Sequence, residues 1–210
     1  MWVRPSKTRT PVTDPDLELV QSCQTAEAEE FERAFARVFA LYQDRVYSIC
    51  LRVCGNQEDA LDAAQETLIT LSRRISDFQG RSRFSSWVYR IAVNAAIDIR
   101  RRRMDAPRAG VTTRLGEDAE WLAESAVELD SNGPLAAVQR AEEHEQVRRA
   151  LANINPRFSS LLTLRYVEGL SYEEISEVLE CNLGTVKSRL NRAHAALRAY
   201  LERRHDSGAA

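Results

Sequence analysis

Gly169-Leu170-Ser171-Tyr172-Glu173-Glu174-Ile175, continuing to Gly184-Thr185-Val186-Lys187-Ser188-Arg189-Leu190, decides how this chain is read. Ser171 followed three residues later by Glu174 is a capping box, and Leu170 with Ile175 makes the hydrophobic staple around it. These signals open a short helix whose apolar side is Ile175, Val178 and Leu179. A second helix carries Val186, Leu190, Ala193, Leu197 and Leu201 at helical spacing, as one buried stripe. Its outer side presents Lys187, Ser188, Arg189, Asn191, Arg192, His194 and Arg198. A short capped helix turning into a basic one is the geometry that lowers a recognition helix into the DNA major groove. A charged outer face is by itself usually just solvated. Caps, staple and stripe together favour the helix-turn-helix.

The rest of the chain is read outward from there. Of 210 residues, 44% are hydrophobic and 29% charged, and the formal net charge is −2. That is an ordinary globular composition rather than a basic nucleic-acid coat. The distribution says more than the sum. Residues 81–103 hold seven arginines against Asp98, and residues 184–204 hold six Lys/Arg against Glu202. Between them, residues 117–145 hold nine acids against Arg140. Two basic blocks separated by an acidic one imply two nucleic-acid contacts.

Helical periodicity runs from about Glu27 to Val53, where Gly55-Asn56 breaks it. Asn56 then caps a second helix, with Glu58 and Asp59 placed well against its dipole. That helix is expected to bury Leu61, Ala64, Leu68, Leu71 and Ile75, and to offer Asp59, Asp62, Gln65 and Glu66 on its other face. A third helix is predicted from about Ser85 to Arg103. The expected fold is all-α: two small helical domains on a flexible acidic linker, the second containing the helix-turn-helix. The expected boundaries are a poorly ordered segment 1–25, a domain 26–103, the linker 104–133, a domain 134–204 and a frayed tail 205–210.

The N-terminus lacks the apolar core of a secretory signal, and no apolar run is long enough to span a bilayer. The expectation is a cytoplasmic chain without membrane insertion, whose Cys23, Cys50, Cys54 and Cys181 are reduced thiols. Cys50 and Cys54 lie one turn apart, but His144, His194 and His205 have no ligand-type spacing to them, so no metal or other cofactor is expected.

Residues 78–103 combine arginines with Phe78, Phe84, Trp87 and Tyr89. Aromatic and arginine-rich segments suit single-stranded DNA, where bases stack or insert and arginines hold phosphate. A loop around Gly80 can accept a base taken out of its stack. Phe84, Trp87 and Ile91 also have core spacing, and core packing is the favoured reading for Trp87.

Arg45-Val46-Tyr47, Gly55-Asn56-Gln57-Glu58-Asp59-Ala60, Gln65-Glu66, Phe84-Ser85-Ser86-Trp87-Val88-Tyr89-Arg90-Ile91-Ala92 and Gly184-Thr185-Val186-Lys187-Ser188-Arg189-Leu190 resemble the bacterial RNA polymerase sigma factors, most closely the short extracytoplasmic-function group. The resemblance covers about 31–103 and 134–201. It implies a first domain (region 2) that meets the clamp coiled coil of the polymerase's largest subunit through Asp59, Asp62, Gln65 and Glu66. It implies that Phe78, Gly80, Arg81 and Arg83 melt and read the minus-ten element, that Asn94 touches the non-template strand, and that Arg100, Arg101, Arg102 and Arg103 hold backbone. A second domain (region 4) would read the minus-thirty-five element through Thr185, Lys187, Ser188, Arg189, Asn191 and Arg192, and rest on the polymerase flap. An anti-sigma factor is a further expected partner, and the acidic linker is expected to mimic nucleic acid in the product channel. One departure stands out: the turn usually has Gly where this chain has Glu180, and a left-handed Glu costs on the order of 1 kcal/mol.

Two other classes are weaker. An operator-binding regulator would use the helix-turn-helix and leave residues 78–103 without a role. An enzyme needs paired carboxylates, a nucleophile with its base or a phosphate-cradling loop, and none is evident.

Overall fold

A computed structural model describes residues 14–105 and 145–208. All the regular structure among them is helical. The first unit comprises α1 (Leu17–Thr25), α2 (Ala28–Cys54), α3 (Gln57–Arg74), a 3-10 turn (Ile75–Asp77) and α4 (Phe84–Asp105). The second comprises α5 (residues 145–153), α6 (Pro156–Tyr166), α7 (Tyr172–Val178) and α8 (Leu183–Gly208). No described helix is long and apolar enough to cross a membrane.

Local chemistry sets the boundaries. α2 ends because Gly55 adopts φ +82°, sending its N–H to the Leu51 carbonyl at 2.8 Å. Glycine is suited to that left-handed cap. Asn56 caps α3 by accepting from the Asp59 N–H at 2.9 Å. In the second unit Asn155 caps α6 and Pro156 fills its first position, where no donor is lost. The capping box of Ser171 and Glu174 is present at α7, with Leu170 and Ile175 both buried behind it.

α2 is the spine. Its buried Val38, Tyr42, Val46, Ile49, Cys50 and Val53 face α3 and α4. α3 presents Ala60, Ala63, Ala64 and Thr67 to that core, and α4 presents Phe84, Val88, Ala92, Val93 and Ala96. Small residues let these helices approach closely. The Cys50 thiol points at the Ala92 carbonyl and the Cys54 thiol at that of Ala96, in line with their reading as small buried side chains. Burial pushes Cys54 up to about 12, which keeps it protonated and inert.

Three expectations are corrected. The buried face of α3 is only partly the expected one: Ala64 and Leu71 are buried, but Leu61 is 53% exposed, Leu68 is only partly buried, and Ile75 is buried in the 3-10 turn beyond the helix. The buried face runs through Ala60, Ala63, Ala64, Thr67 and Leu71 instead. Residues 14–25 are not a loose segment, since α1 buries Val20 and Cys23 against α2 and the 3-10 turn. The last helix continues past Arg204 to Gly208. Residues 1–13, most of the linker 104–133 and the start of the domain 134–204 lie outside the described residues.

The two units pack on one another, α2 against α6 and α4 against α7. Arg100 is 8% exposed and donates to the carbonyls of Val53, Ala152 and Ile154 at 2.6, 2.6 and 2.7 Å. It bolts α4 and α2 to the end of α5. A Cβ on Gly55 would overlap the Ala152 side chain, so glycine is needed there for space as well as for φ.

Candidate nucleic-acid interface

α8 is placed by its stripe. Val186, Leu190 and Ala193 are fully or almost fully buried, Leu197 is packed at the edge, and Leu201 emerges at 39% exposure. Burying such side chains stabilises the unit by roughly 1.5–3 kcal/mol for each Val or Leu. The same stripe turns Lys187, Ser188, Arg189, Asn191 and Arg192 outward, all exposed on one end of the helix. Asn182 caps α8, its Oδ1 accepting from the Thr185 N–H and hydroxyl at 2.8 Å each. Thr185 therefore sits in the first turn as a half-buried cap partner. His194 leaves the outer face, because its ring nitrogen meets the Tyr166 hydroxyl at 2.8 Å.

The turn before α8 carries the strain anticipated from sequence. Glu180 has φ +47°, the one left-handed non-glycine among the described residues. Its carboxylate pairs with Arg90 of α4, a contact between units that no sequence signal flags. Close by, Glu174 accepts from Arg83 at 2.8 Å. The Ser171 backbone N–H, assisted by the Ser171 hydroxyl and Arg83, holds the Glu174 carboxyl below its ordinary value.

The arginine-rich loop and helix of the first unit divide into two kinds. Gly80 (φ +67°, nothing near its Cβ position), Arg81, Arg83, Asn94, Arg101 and Arg102 are exposed. Arg101 pairs with Asp98 at 3.5 Å and Arg102 with Glu66 at 3.6 Å, contacts too exposed to hold these side chains against a phosphate. Phe78 and Arg100 are different. The Phe78 ring lies 5.3 Å from Phe84 and 5.5 Å from Trp87 and is 8% exposed, so it packs under the loop instead of offering a stacking face. Arg100 is occupied by three carbonyls. In this arrangement both expected DNA contacts are structural, because tertiary partners already fill them. Trp87 is partly buried against the same aromatic cluster, the core role expected of it.

On α3, Asp62, Gln65 and Glu66 are exposed, flanked by Leu61 and by Ile69 at 40%. Asp59 is set apart: its carboxylate accepts from Asn56 at 2.6 Å and from Arg103 at 2.8 Å. It closes the helix start against the end of α4. An amphipathic acidic face this exposed suits a basic protein partner.

One half-buried charge was not foreseen. Glu168, just after α6, faces Tyr89, Arg45 and Arg52. Burial raises its carboxyl, opposed by the Tyr89 hydroxyl and the two arginines. Only the packing of the second unit on the first brings these groups together, so periodicity along the chain carries no trace of the cluster.

Residues 38–105 match the family Sigma-70 region 2, and residues 144–197 match Sigma-70, region 4. The RNA polymerase sigma-H factor of Pseudomonas aeruginosa is 35% identical, over 88% of this chain and 92% of its own length. The ECF RNA polymerase sigma factor SigW of Bacillus subtilis is 34% identical, over 80% and 89%. In fold, the chain is similar to CnrH as solved with the cytosolic domain of CnrY, with a TM-score of 0.61 at 21% identity, covering 90% of this chain and 98% of that one.

Proposed function

The chain belongs to the extracytoplasmic-function sigma factors, which recognise promoters for transcription initiation by RNA polymerase, and from that membership we propose which of its surfaces does what. Core polymerase docks on the outer face of α3 through Asp62, Gln65 and Glu66, with Leu61 and Ile69 adding apolar area beneath the charges. Asp59 fixes the start of that helix. The clamp coiled coil of the largest subunit is the partner surface, and the flap receives the second unit.

The single-stranded minus-ten element is held by Gly80, Arg81, Arg83, Asn94, Arg101, Arg102 and Arg103. The duplex minus-thirty-five element is read by Lys187, Ser188, Arg189, Asn191 and Arg192, with Thr185 in the first turn. The observation that carries this division is the pairing, in one chain, of an exposed recognition helix with a separate arginine-rich loop and helix. Reading duplex at one site and holding a single strand at another is the requirement of promoter opening. Contacts to polymerase and duplex DNA offset the cost of unstacking, a few kcal/mol for each base extruded. The chain contributes binding and positioning; bond making belongs to the polymerase.

An anti-sigma factor is the natural antagonist of such a chain. Relatives in fold have been solved in complexes of that kind, among them the Bartonella quintana sigma factor RpoE with the anti-sigma factor NepR (TM-score 0.55, 19% identity, covering 80% of this chain and 96% of that one). An acidic or helical segment placed between α4 and α7 would compete for Arg83 and Arg90.

The test is gel filtration of the chain with core RNA polymerase beside an Asp62→Ala/Gln65→Ala variant. Co-elution is expected for the wild type and not for the variant. Tight duplex binding by the chain alone, without co-elution, would make it a free-standing regulator instead.

A further inference from the structure

The loop from Phe78 to Phe84 is gripped at both ends by the segment that precedes α2. At one end the Gln24 side-chain amide donates to the Phe78 carbonyl at 2.9 Å and to the Ile75 carbonyl at 3.0 Å. At the other, the Asp14 carboxylate accepts from the Phe84 N–H at 2.7 Å. The second contact supplies something α4 lacks. Arg83 precedes its first residue and has no side-chain acceptor to cap the free N–H groups, a task that Ser, Thr, Asp and Asn perform well. Asp14 performs it from elsewhere in the chain, and its charge lies favourably against the helix dipole.

Asp14 and Gln24 are themselves held. The second Asp14 oxygen accepts from the Asp16 N–H at 3.1 Å, and the Asp16 carboxylate accepts from the buried Tyr42 hydroxyl of α2. Gln24 is carried by α1, anchored through Val20 and Cys23. The chain between the two grips has only Gly80 in a left-handed conformation and exposes Arg81. Its ends are fixed while its tip stays open. Both grips precede residue 38, where the match to region 2 begins.

We propose that Asp14 and Gln24 are positioning residues for minus-ten recognition: they set the span and pitch of the 78–84 loop, and with it the geometry in which a single-stranded base is accepted. The proposal rests on the reading of that loop as the minus-ten contact. It gives Asp14 and α1 a part in base selectivity through the loop they hold.

The test uses the full chain bound to core polymerase. A random single-stranded DNA pool is first selected on the wild-type holoenzyme to define the preferred oligonucleotide. Affinity for that oligonucleotide is then compared with affinity for versions carrying single base changes. The variants are Gln24→Ala, Gln24→Glu (same size, no donor), Asp14→Ala and Asp14→Asn (acceptor kept), with Arg81→Ala as a control on the loop itself. Gln24→Ala, Gln24→Glu and Asp14→Ala are expected to lower discrimination against a wrong base roughly tenfold, about what one well-placed base contact supplies. Asp14→Asn should restore most of it, and binding to core polymerase should hold in all of them.

A purely structural role predicts something else: lower thermal stability with discrimination unchanged, which overturns the proposal. If Arg81→Ala weakens oligonucleotide binding while the Asp14 and Gln24 variants discriminate like wild type, positioning fails and the loop reading stands. If Arg81→Ala and the grip variants all leave binding untouched, the loop reading fails and takes the proposal with it.

Discussion

Glu180 shows how a single residue can break a local rule and be tolerated. A left-handed Glu costs about 1–2 kcal/mol, and its ion pair with Arg90 returns little, since the Glu180 side chain is 71% exposed. Glu180→Gly is therefore expected to raise the thermal midpoint, for a net gain of up to about 1 kcal/mol. Calorimetry on the two proteins checks it, and a lowered midpoint would mean that the Arg90 contact matters more than its exposure suggests. At this scale the sequence was informative about caps and strain, because both depend on near neighbours along the chain. Ser171, Asn56 and Glu180 were all legible for that reason. Phe78 and Arg100 were not: an aromatic beside a glycine and an arginine in a basic run look like DNA contacts until their tertiary partners are seen.

At the scale of the element, α8 is the clearest case of a face fixed by its opposite. Burial of Val186, Leu190 and Ala193 leaves Arg189 pointing out, and only the outward side can reach base edges. Arg189→Ala is expected to weaken binding to a minus-thirty-five duplex by about 1–3 kcal/mol and to relax specificity at one base position. Competition between duplexes differing at single positions measures it; a uniform loss would mark a phosphate contact. α3 teaches the converse. Its leucines and alanines both have helical spacing, and periodicity gave the face to Leu61, Ala64, Leu68, Leu71 and Ile75. Packing against α2 and α4 took Ala60, Ala63, Ala64, Thr67 and Leu71, and left Leu61 and Ile69 outside beside Asp62 and Glu66.

For the whole molecule, the packing of one unit on the other governs what is free to act. Arg83 and Arg90 are held by Glu174 and Glu180, so the first unit's loop and the second unit's turn restrain each other in this arrangement. Glu168, from the second unit, faces Tyr89, Arg45 and Arg52 of the first. Its folded-state carboxyl is raised above the ordinary 4.5, so the folded protein keeps a proton there that the unfolded chain has released. The stability this contributes is present below the unfolded value and lost as pH rises through the raised one. Gln at 168 does not titrate, so the stability of wild type relative to Glu168→Gln should fall as pH rises from the ordinary carboxylate value through the raised one. Urea unfolding at several pH values tests this; a difference that stays flat with pH would show that Arg45 and Arg52 cancel the burial.

Sequence alone determined the helical class and the helix-turn-helix with its caps, because each is written in spacing over a few turns of one helix; the basic blocks were legible from composition, and the family from the motifs that resemble it. The tertiary structure decided which arginines are free and which are bolted to carbonyls, and which face of α3 looks outward. It also decided that Asp14 and Gln24 grip the 78–84 loop, and that Glu168 faces Tyr89, Arg45 and Arg52. Those outcomes depend on hydrogen bonds and burial between residues of different helices, many of them far apart in the chain. No periodicity encodes such pairings, since the free energy that selects them exists only once the helices have packed.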